Sequence, residues 1–421
     1  NMDGMPIFPI SLTKNHQLLL SADARFCKPD YLNDITWQFH FGVGDPPSLC
    51  LDTTLGLRVR RVCIFPRFNQ RNVVLSNPTS FHRSPQLMAA YPNYIKVEYD
   101  PFNGVRAIHE IWIASSQHTA GRLRLENHGI LPDAFWLEVD CVVEPLSDGK
   151  GMEIFKDGTS SGLRGSSGDL ELVFLLSGEA DPGKGPYTGL GQRVELDPGD
   201  SQTLTWTFGA VAGVEAGVGE AREIMAQFDA EVVRLEIINQ RDSLFLETGE
   251  TNFDLALRLT QRNTQRLLLT SSEHLPKTSF VSTRRPDQGS SIRGDGTDYS
   301  PSWGGQTALD AYLMAEHLLP SQVETAKGLL DNFLHVQAED GFIDWRPGLA
   351  GQRSKRLAQP MLASLAWAIH RCEQQTAYLA QVYRPLIRFV KCWFHPQRDR
   401  DGDGFPEWDN PLQAGLEENP L

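Results

Sequence analysis

The sequence predicts a multidomain β plus α protein. An antiparallel β-sandwich is expected at residues 1–215, a linker helix at 216–245 and an α-hairpin domain at 246–421. Two observations support this prediction. Apolar residues recur with a period of two in the first half and at spacings of three and four in the second. With 421 residues, the chain is long enough for two or three domains.

The β-sandwich is predicted from short apolar runs that turn residues separate. Residues 123–126 and 204–208 alternate apolar and polar side chains, as strands with one buried face do. Clusters of Asp, Pro and Gly, such as residues 197–200, punctuate the runs. The Gly- and Ser-rich stretch 146–169 is predicted to be a long surface loop, with a substrate-facing loop as the alternative.

The linker helix and the helical domain are predicted from apolar residues at helical spacing. Residues 219–240 show this spacing first. Pro320 is expected to end one helix and Ser321 to cap the next. Alternating short and long connections are typical of a toroid of helical hairpins. A closed ring of six hairpins needs twelve helices. About five or six helices are predicted in this chain, and they are expected to form the first part of such a ring. The helices are predicted at 251–270, 305–319, 321–337, 359–374 and 376–394.

Composition and charge narrow the class of protein. Lys and Arg number 39 against 53 Asp and Glu, so the formal net charge is −14. This acidic balance argues against nucleic acid or a membrane as a partner, and no apolar run predicts a transmembrane helix. Six scattered cysteines favour reduced core thiols over a zinc site, and no organic cofactor is expected. Without a recognisable signal peptide, the expected location is the cytoplasm.

An acidic loop near the C-terminus predicts a structural Ca²⁺ site. Its acids occupy positions 1, 3 and 5 and Gly404 occupies position 6, a spacing that turns carboxylates towards a hard cation. Asn410 stands where an EF-hand has glutamate, so the loop is EF-like only, and a solvated acidic turn is the alternative. The expected oxygen donors are Asp399, Asp401 and Asp403, the backbone carbonyl of Phe405, and Glu407 directly or through water.

Two further segments could bind a sugar. Trp303 precedes a predicted helix, and an indole ring stacks well on the apolar face of a pyranose. The second segment follows a helix end and offers Gln337, Asp340, Asp344 and Trp345. The alternatives are a buried Trp at a helix start and an ordinary helix-terminating turn.

Three stretches of the sequence match patterns of one enzyme clan. Trp-Gly-Gly-Gln-Thr-Ala-Leu at 303–309 is similar to W-G-x-D-[ST]-x-[FL]. Phe-Leu-x-x-Gln-x-x-Asp-Gly-Phe-Ile at 333–343 is similar to F-L-x-x-Q-x-x-D-G-x-I-P. Residues 399–408 are similar to D-x-[DN]-x-D-G-[LI]-P-E-[WY], which binds Ca²⁺ in some members. Together they resemble the (α/α)₆-barrel glycosidases of the glycoside hydrolase family sixty-three type, whose bacterial relatives include α-glucosidases, mannosylglycerate hydrolases and glycogen-debranching amylo-α-1,6-glucosidase-like proteins.

The resemblance implies an N-terminal β super-sandwich, a linker helix and part of an (α/α)₆ toroid. It also implies an oligosaccharide or small glycoside as the partner. The implied activity is inverting hydrolysis of α-linked glucosides by two carboxylates.

Two departures from the family pattern affect the expected catalysis. Gln306 stands at the position of the family's general-acid Asp, and an amide cannot donate the required proton. Asp298 or Asp310 is the candidate replacement. The family's general base lies in later helices, which a second chain or a C-terminal half would have to supply. Hydrolysis by this chain is therefore expected to be weak or absent. The alternatives are a catalytically impaired carbohydrate-binding protein on a glycosidase scaffold and a purely structural Ca²⁺-stabilised module.

Overall fold

The computed structural model describes residues 16–42, 48–158, 160–300 and 303–414. These residues divide into two compact units. The first holds the residues up to Ile237 together with Arg285–Ser290. The second holds Ile238–Arg284 and the residues from Ser291 onward. The predicted domain boundaries at residues 215 and 245 stay a prediction.

The first unit is a β-sandwich, as its period-two pattern predicts. Its strands pair in two antiparallel sheets, ordered β1-β2-β3-β4-β10-β15-β14, with β5 beside β4, and β11-β12-β13-β16-β9-β8-β7-β6. Among the described residues, the strands in chain order are β1 (His16–Leu20), β2 (Trp37–Phe41), β3 (Leu51–Thr53), β4 (Val59–Gln70), β5 (Val73–Leu75), β6 (Arg83–Tyr91), β7 (Tyr94–Phe102), β8 (Val105–Ile113), β9 (His118–Asn127), β10 (Asp133–Pro145), β11 (Lys150–Asp157), β12 (Ser160–Ser167), β13 (Leu170–Leu176), β14 (Asp181–Pro182), β15 (Gly189–Leu196) and β16 (Ser201–Val211).

One hydrophobic core joins the inward faces of the two sheets. Trp37 on one sheet meets Phe208 on the other edge to face, with ring centroids 5.4 Å apart. Gly121 leaves room for the buried indole of Trp206, since a Cβ at 121 would overlap that ring. Burial of large apolar side chains between the sheets is therefore the main stabilising contribution to this unit.

The prediction of a surface loop at 146–169 is wrong. β11 and β12 pair as an antiparallel hairpin, and β12 continues the sheet to β13. The glycines in β12 allow close packing: a Cβ at Gly162 would lie 2.6 Å from the Phe155 ring, and one at Gly165 would lie 2.9 Å from the Lys150 carbonyl oxygen. Glycine here permits a neighbouring group to approach the strand, and the same composition elsewhere would indicate a loop.

The predicted linker helix is α1 (Val214–Asp242), which is 29 residues long. Phe228, Val232 and Leu235 pack on the outer face of the second sheet. Phe228 meets Trp112 edge to face at 5.7 Å. The helix therefore covers a sheet of the first unit as well as leading into the second.

The second unit is mainly helical in its described residues, with one short pair of strands. α3 packs against α2, α4 and α5, and α5 packs against α6. None of the described helices combines the length and apolarity needed to cross a membrane. The large antiparallel sandwich followed by helices agrees with the predicted β plus α architecture. That these helices form the first part of an (α/α)₆ toroid stays a prediction. The remaining elements are α2 (Thr251–Leu267), β17 (Leu268–Leu269), β18 (Ser279–Phe280), α3 (Ala308–Leu318), α4 (Val323–His335), α5 (Leu362–Glu373), α6 (Thr376–Trp393) and the 3₁₀ turns Pro78–Ser80, Pro396–Arg398 and Pro411–Ala414.

The predicted cap at Ser321 is wrong. Gln322 occupies the N-cap position of α4 and makes no side-chain capping bond. The Ser321 hydroxyl instead donates to the carbonyl oxygens of Leu318, at 3.1 Å, and Asp242, at 3.0 Å. Ser321 thus ties the end of α3 to the end of α1.

Candidate functional site

The second unit contains a cavity of about 300 Å³. Its lining comes from two segments: residues 296–304, ahead of α3, and residues 345–356, between α4 and α5. Tyr299, Trp345 and three arginines supply the large side chains, and the other lining residues are small or hydroxylic. No carboxylate is among the described residues that line this cavity.

Glycines hold the two lining segments together. The backbone N–H of Gln306 donates to the Pro347 carbonyl at 3.0 Å. At the next residue, a Cβ on Gly348 would overlap the carbonyl oxygen of Gly304. Only glycine allows the two backbones to approach this closely, so both segments need the glycine at 348.

Asp344 supports the second segment from inside. One of its carboxylate oxygens accepts from the Arg346 backbone N–H at 3.0 Å and from the Ser354 hydroxyl at 2.8 Å. The other accepts from the Lys355 backbone N–H at 2.8 Å. The side chain is buried and is not part of the cavity lining. The structure therefore places this predicted sugar ligand where it fixes the loop.

Trp345 lies at the centre of the cationic lining. Its backbone N–H donates to the Arg356 carbonyl at 2.7 Å. The guanidinium carbon of Arg346 lies 4.7 Å from the centroid of the indole ring, and that of Arg356 lies 5.7 Å from it. Cation–π contacts of this kind orient guanidinium groups as well as attract them. The buried indole N–H has no hydrogen-bond partner among the described residues.

The other predicted aromatic residue, Trp303, lies behind the cavity. It is only 2% exposed and packs edge to face on Tyr299, with ring centroids 5.8 Å apart. Tyr299 is the ring that lines the cavity. Trp303 thus supports the lining without belonging to it.

The three residues predicted for catalysis also lie outside the lining. Gln306 is fully buried, with its amide N–H donating to the Leu329 carbonyl at 2.9 Å and its amide oxygen accepting from Asn332 at 3.4 Å. Asp310 belongs to the N-terminal cap of α3, where Thr307 donates to it at 2.7 Å. Both side chains thus make structural contacts, and their catalytic roles stay predictions.

Asp298 is exposed on the loop ahead of α3. The Ser291 hydroxyl donates to it at 2.6 Å and the Ile292 backbone N–H at 2.7 Å. The hydrogen bond from Ser291 lowers the pKa of Asp298 below its ordinary value. A carboxyl group with a lowered pKa is ionised at neutral pH, which makes it a poor proton donor.

Gln337 and Asp340 organise the turn after α4. The Gln337 amide donates to the Pro385 carbonyl at 3.0 Å and accepts from Arg388 at 3.1 Å, so it ties this turn to α6. Asp340 is exposed and accepts from the Phe342 backbone N–H at 2.9 Å. Of the five predicted sugar ligands, Trp345 alone is among the described residues that line the cavity.

The acidic loop brings its first three acids together. One oxygen each of Asp399, Asp401 and Asp403 lies within 4.8 Å of the others. The Oδ1 atom of Asp399 is buried without a hydrogen-bond partner in the described chain, as expected of a metal ligand. Glu407 lies apart from this group and pairs with Arg400 at 3.2 Å. The three aspartates therefore fit a hard cation.

Sequence reasoning missed four of the residues that line the cavity. Tyr299 supplies an aromatic ring, and Arg346, Arg353 and Arg356 supply the charge. A run of basic residues after the 333–343 motif is visible in the sequence. Such runs are usually solvated, so only the loop that Asp344 holds shows that these arginines converge.

No known family model matches the chain, and no curated protein matches it. Solved structures do resemble it. One described as a kojibiose phosphorylase from the human microbiome has a TM-score of 0.45 at 12% identity, over 89% of this chain and 52% of that one. A bacterial glucoamylase complexed with acarbose has a TM-score of 0.47 at 11% identity, over 92% of this chain and 60% of that one. An aldose 1-epimerase-like protein from Escherichia coli K12 has a TM-score of 0.28 at 9% identity, over 47% of this chain and its own full length.

These neighbours are carbohydrate-active proteins by their descriptions. The present chain spans 52% of the length of the first and 60% of the second. At such identities and TM-scores, the likeness carries no argument about activity or substrate.

Proposed function

We propose that the chain belongs to a carbohydrate-active protein and that the cavity beside Trp345 binds an oligosaccharide or a small glycoside. One observation supports this most strongly. The glycosidase-like motif at 303–309 overlaps the end of one lining segment, and the motif at 333–343 directly precedes the other. Each segment supplies one aromatic ring to the cavity.

The size of the cavity suits a small ligand. Small-molecule sites occupy roughly 300–1,000 Å³, and this cavity of about 300 Å³ lies at the lower end. Tyr299 and Trp345 offer apolar ring surface, while the hydroxylic and cationic residues offer hydrogen-bond donors. This combination suits one end of a glycoside better than a long polymer.

The proposed reaction, by resemblance, is inverting hydrolysis of an α-linked glucoside, as in α-glucosidases and glycogen-debranching enzymes. Such a reaction needs an acid and a base whose carboxyl groups lie roughly 6.5–9.5 Å apart. The described lining offers neither. This observation favours the second candidate function, a catalytically impaired carbohydrate-binding protein on a glycosidase scaffold.

We further propose that Asp399, Asp401 and Asp403 hold a structural Ca²⁺ ion, with the Phe405 carbonyl and Glu407 as additional donors. The unpartnered oxygen of Asp399 supports the proposal. A bound Ca²⁺ would neutralise the mutual repulsion of the three carboxylates. Glu407 would join the site only by leaving Arg400, or through a water molecule.

We propose the cytoplasm as the location of the protein.

Calorimetric titration of the 421-residue chain with maltose, nigerose and trehalose tests the proposed function, together with an assay for released glucose. We expect binding of at least one sugar, with little or no hydrolysis. Trp345→Phe should weaken binding about two- to tenfold, because aromatic contacts contribute roughly 0.5–1.5 kcal/mol. Trp367→Phe, which changes a Trp that is 56% exposed on α5, is the matched control. Unchanged affinity in Trp345→Phe would place the sugar elsewhere.

A further inference from the structure

The charge of the cavity is opposite to that of the chain. Acidic residues outnumber basic ones by 53 to 39 overall. The cavity nevertheless collects Arg346, Arg353 and Arg356 and, among its described lining residues, no acid. Three arginine side chains line this cavity of about 300 Å³, and an anion inside it would be attracted to their positive charge.

The nearest acids in the two segments are already engaged. Both oxygens of Asp344 accept from backbone N–H groups or a hydroxyl within its own loop. Asp298 accepts from Ser291 and Ile292 outside the lining. Arg353 donates to the Thr297 carbonyl, a neutral acceptor, at 3.0 Å. Within the described chain, neither Arg353 nor Arg356 pairs with a carboxylate.

The aromatic contacts make the arginines suitable for recognition. Arg346 and Arg356 both lie near the ring of Trp345. A guanidinium group held against an aromatic face loses less conformational entropy when it binds, and its planar fork matches two oxygens of a carboxylate or phosphate. The same ring that would contact a sugar therefore positions the cations.

We propose that the natural ligand is an anionic carbohydrate, a sugar that carries a carboxylate or a phosphate group held by Arg346, Arg353 and Arg356. This proposal rests on the proposed function and narrows its substrate class. The sugar ring lies against Tyr299 and Trp345, and the anionic group lies among the three guanidinium groups.

Calorimetric titration with four probes tests the proposal: methyl α-glucoside, glucuronate, glucose 6-phosphate and inorganic phosphate. We expect at least one anionic sugar to bind ten times more tightly than methyl α-glucoside, with an affinity that falls as ionic strength rises. The carboxylate and phosphate arms distinguish the two sources of charge.

Variants assign the effect to the cavity. Arg356→Gln should weaken binding of the preferred anionic sugar about 10- to 100-fold, because hydrogen bonds between charged groups are the stronger class. Arg353→Gln changes an exposed side chain, so it keeps the test valid if Arg356→Gln does not fold. Arg371→Gln, on the exposed surface of α5, is the control and should bind normally.

The outcomes separate the two proposals. Equal affinity for methyl α-glucoside and both anionic sugars overturns the anionic ligand and leaves carbohydrate binding in place. If glucose 6-phosphate is the sugar that binds tightly, an equal affinity for inorganic phosphate overturns the contribution of the sugar and, with it, the proposed function. No binding of any sugar overturns both. If Arg353→Gln and a folded Arg356→Gln both bind the anionic sugar with unchanged affinity, the arginines are not part of the binding site.

Discussion

His109 should make the β-sandwich less stable in mild acid. It lies on β8 and packs edge to face against Phe39, with ring centroids 6.3 Å apart. Both ring nitrogens are buried without a hydrogen-bond partner in the described chain. Burial lowers the pKa of His109 from 6.5 to about 3, because the charged imidazolium would lose its hydration.

The sign and size of the effect follow from linkage. The unfolded chain binds a proton at His109 near pH 6.5, whereas the folded state does not. The contribution of neutral His109 to the free energy of unfolding is therefore fully present above pH 6.5 and is lost as the pH falls towards 3. A pH of 5 lies 1.5 units below the ordinary pKa of 6.5. At about 1.4 kcal/mol per unit, the free energy of unfolding should fall by about 2 kcal/mol.

The assay is urea unfolding of the wild type and His109→Leu at pH 7.5 and 5.0, followed by tryptophan fluorescence. Leucine has a similar volume and does not titrate, so the wild type should lose about 2 kcal/mol relative to the variant on acidification. Other titrating groups are common to both proteins and cancel. His82→Gln removes an exposed imidazole and serves as the control. A difference between wild type and His109→Leu that stays constant from pH 7.5 to 5.0 would refute the reasoning.

Three further predictions concern the helical unit. EDTA should lower the melting temperature and added Ca²⁺ restore it, an effect that Asp401→Asn should reduce; an unchanged melting temperature on chelation would count against the Ca²⁺ site. Gln306→Asp should lower the free energy of unfolding by about 1–3 kcal/mol, because it removes the N–H group that donates to the Leu329 carbonyl. Turnover of α-glucosides should stay weak or absent in this variant. Vigorous release of glucose by the wild type or by Gln306→Asp would contradict this. Gly348→Ala should destabilise the unit by roughly 1–3 kcal/mol and abolish binding in the cavity. The control is Gly219→Ala, in an open position on α1, which should be neutral or stabilising. Equal melting temperatures for the two variants would show that the lining tolerates a Cβ.

The division into a β-sandwich and helices was predictable because periodicity is a local property of the sequence. α4, α5 and α6 lie within their predicted ranges, with ends that differ by a few residues. The hairpin of β11 and β12 was not predictable in this way. Its glycines serve contacts with Phe155 and the Lys150 backbone, which composition cannot distinguish from loop flexibility.

The candidate site depended on the sequence for its position and on the tertiary structure for its chemistry. Motif patterns alone indicated the segments around Trp303 and Trp345, because short-range spacing is written in the chain. The fold decided which side chains face the cavity: Trp303 lies behind Tyr299, Asp344 turns inward to hold its loop, and three arginines line the cavity together with Trp345. Burial and hydrogen bonding assign those orientations. The cavity itself forms only because the two lining segments meet, as in the hydrogen bond from the Gln306 N–H to the Pro347 carbonyl, and no local pattern contains that contact.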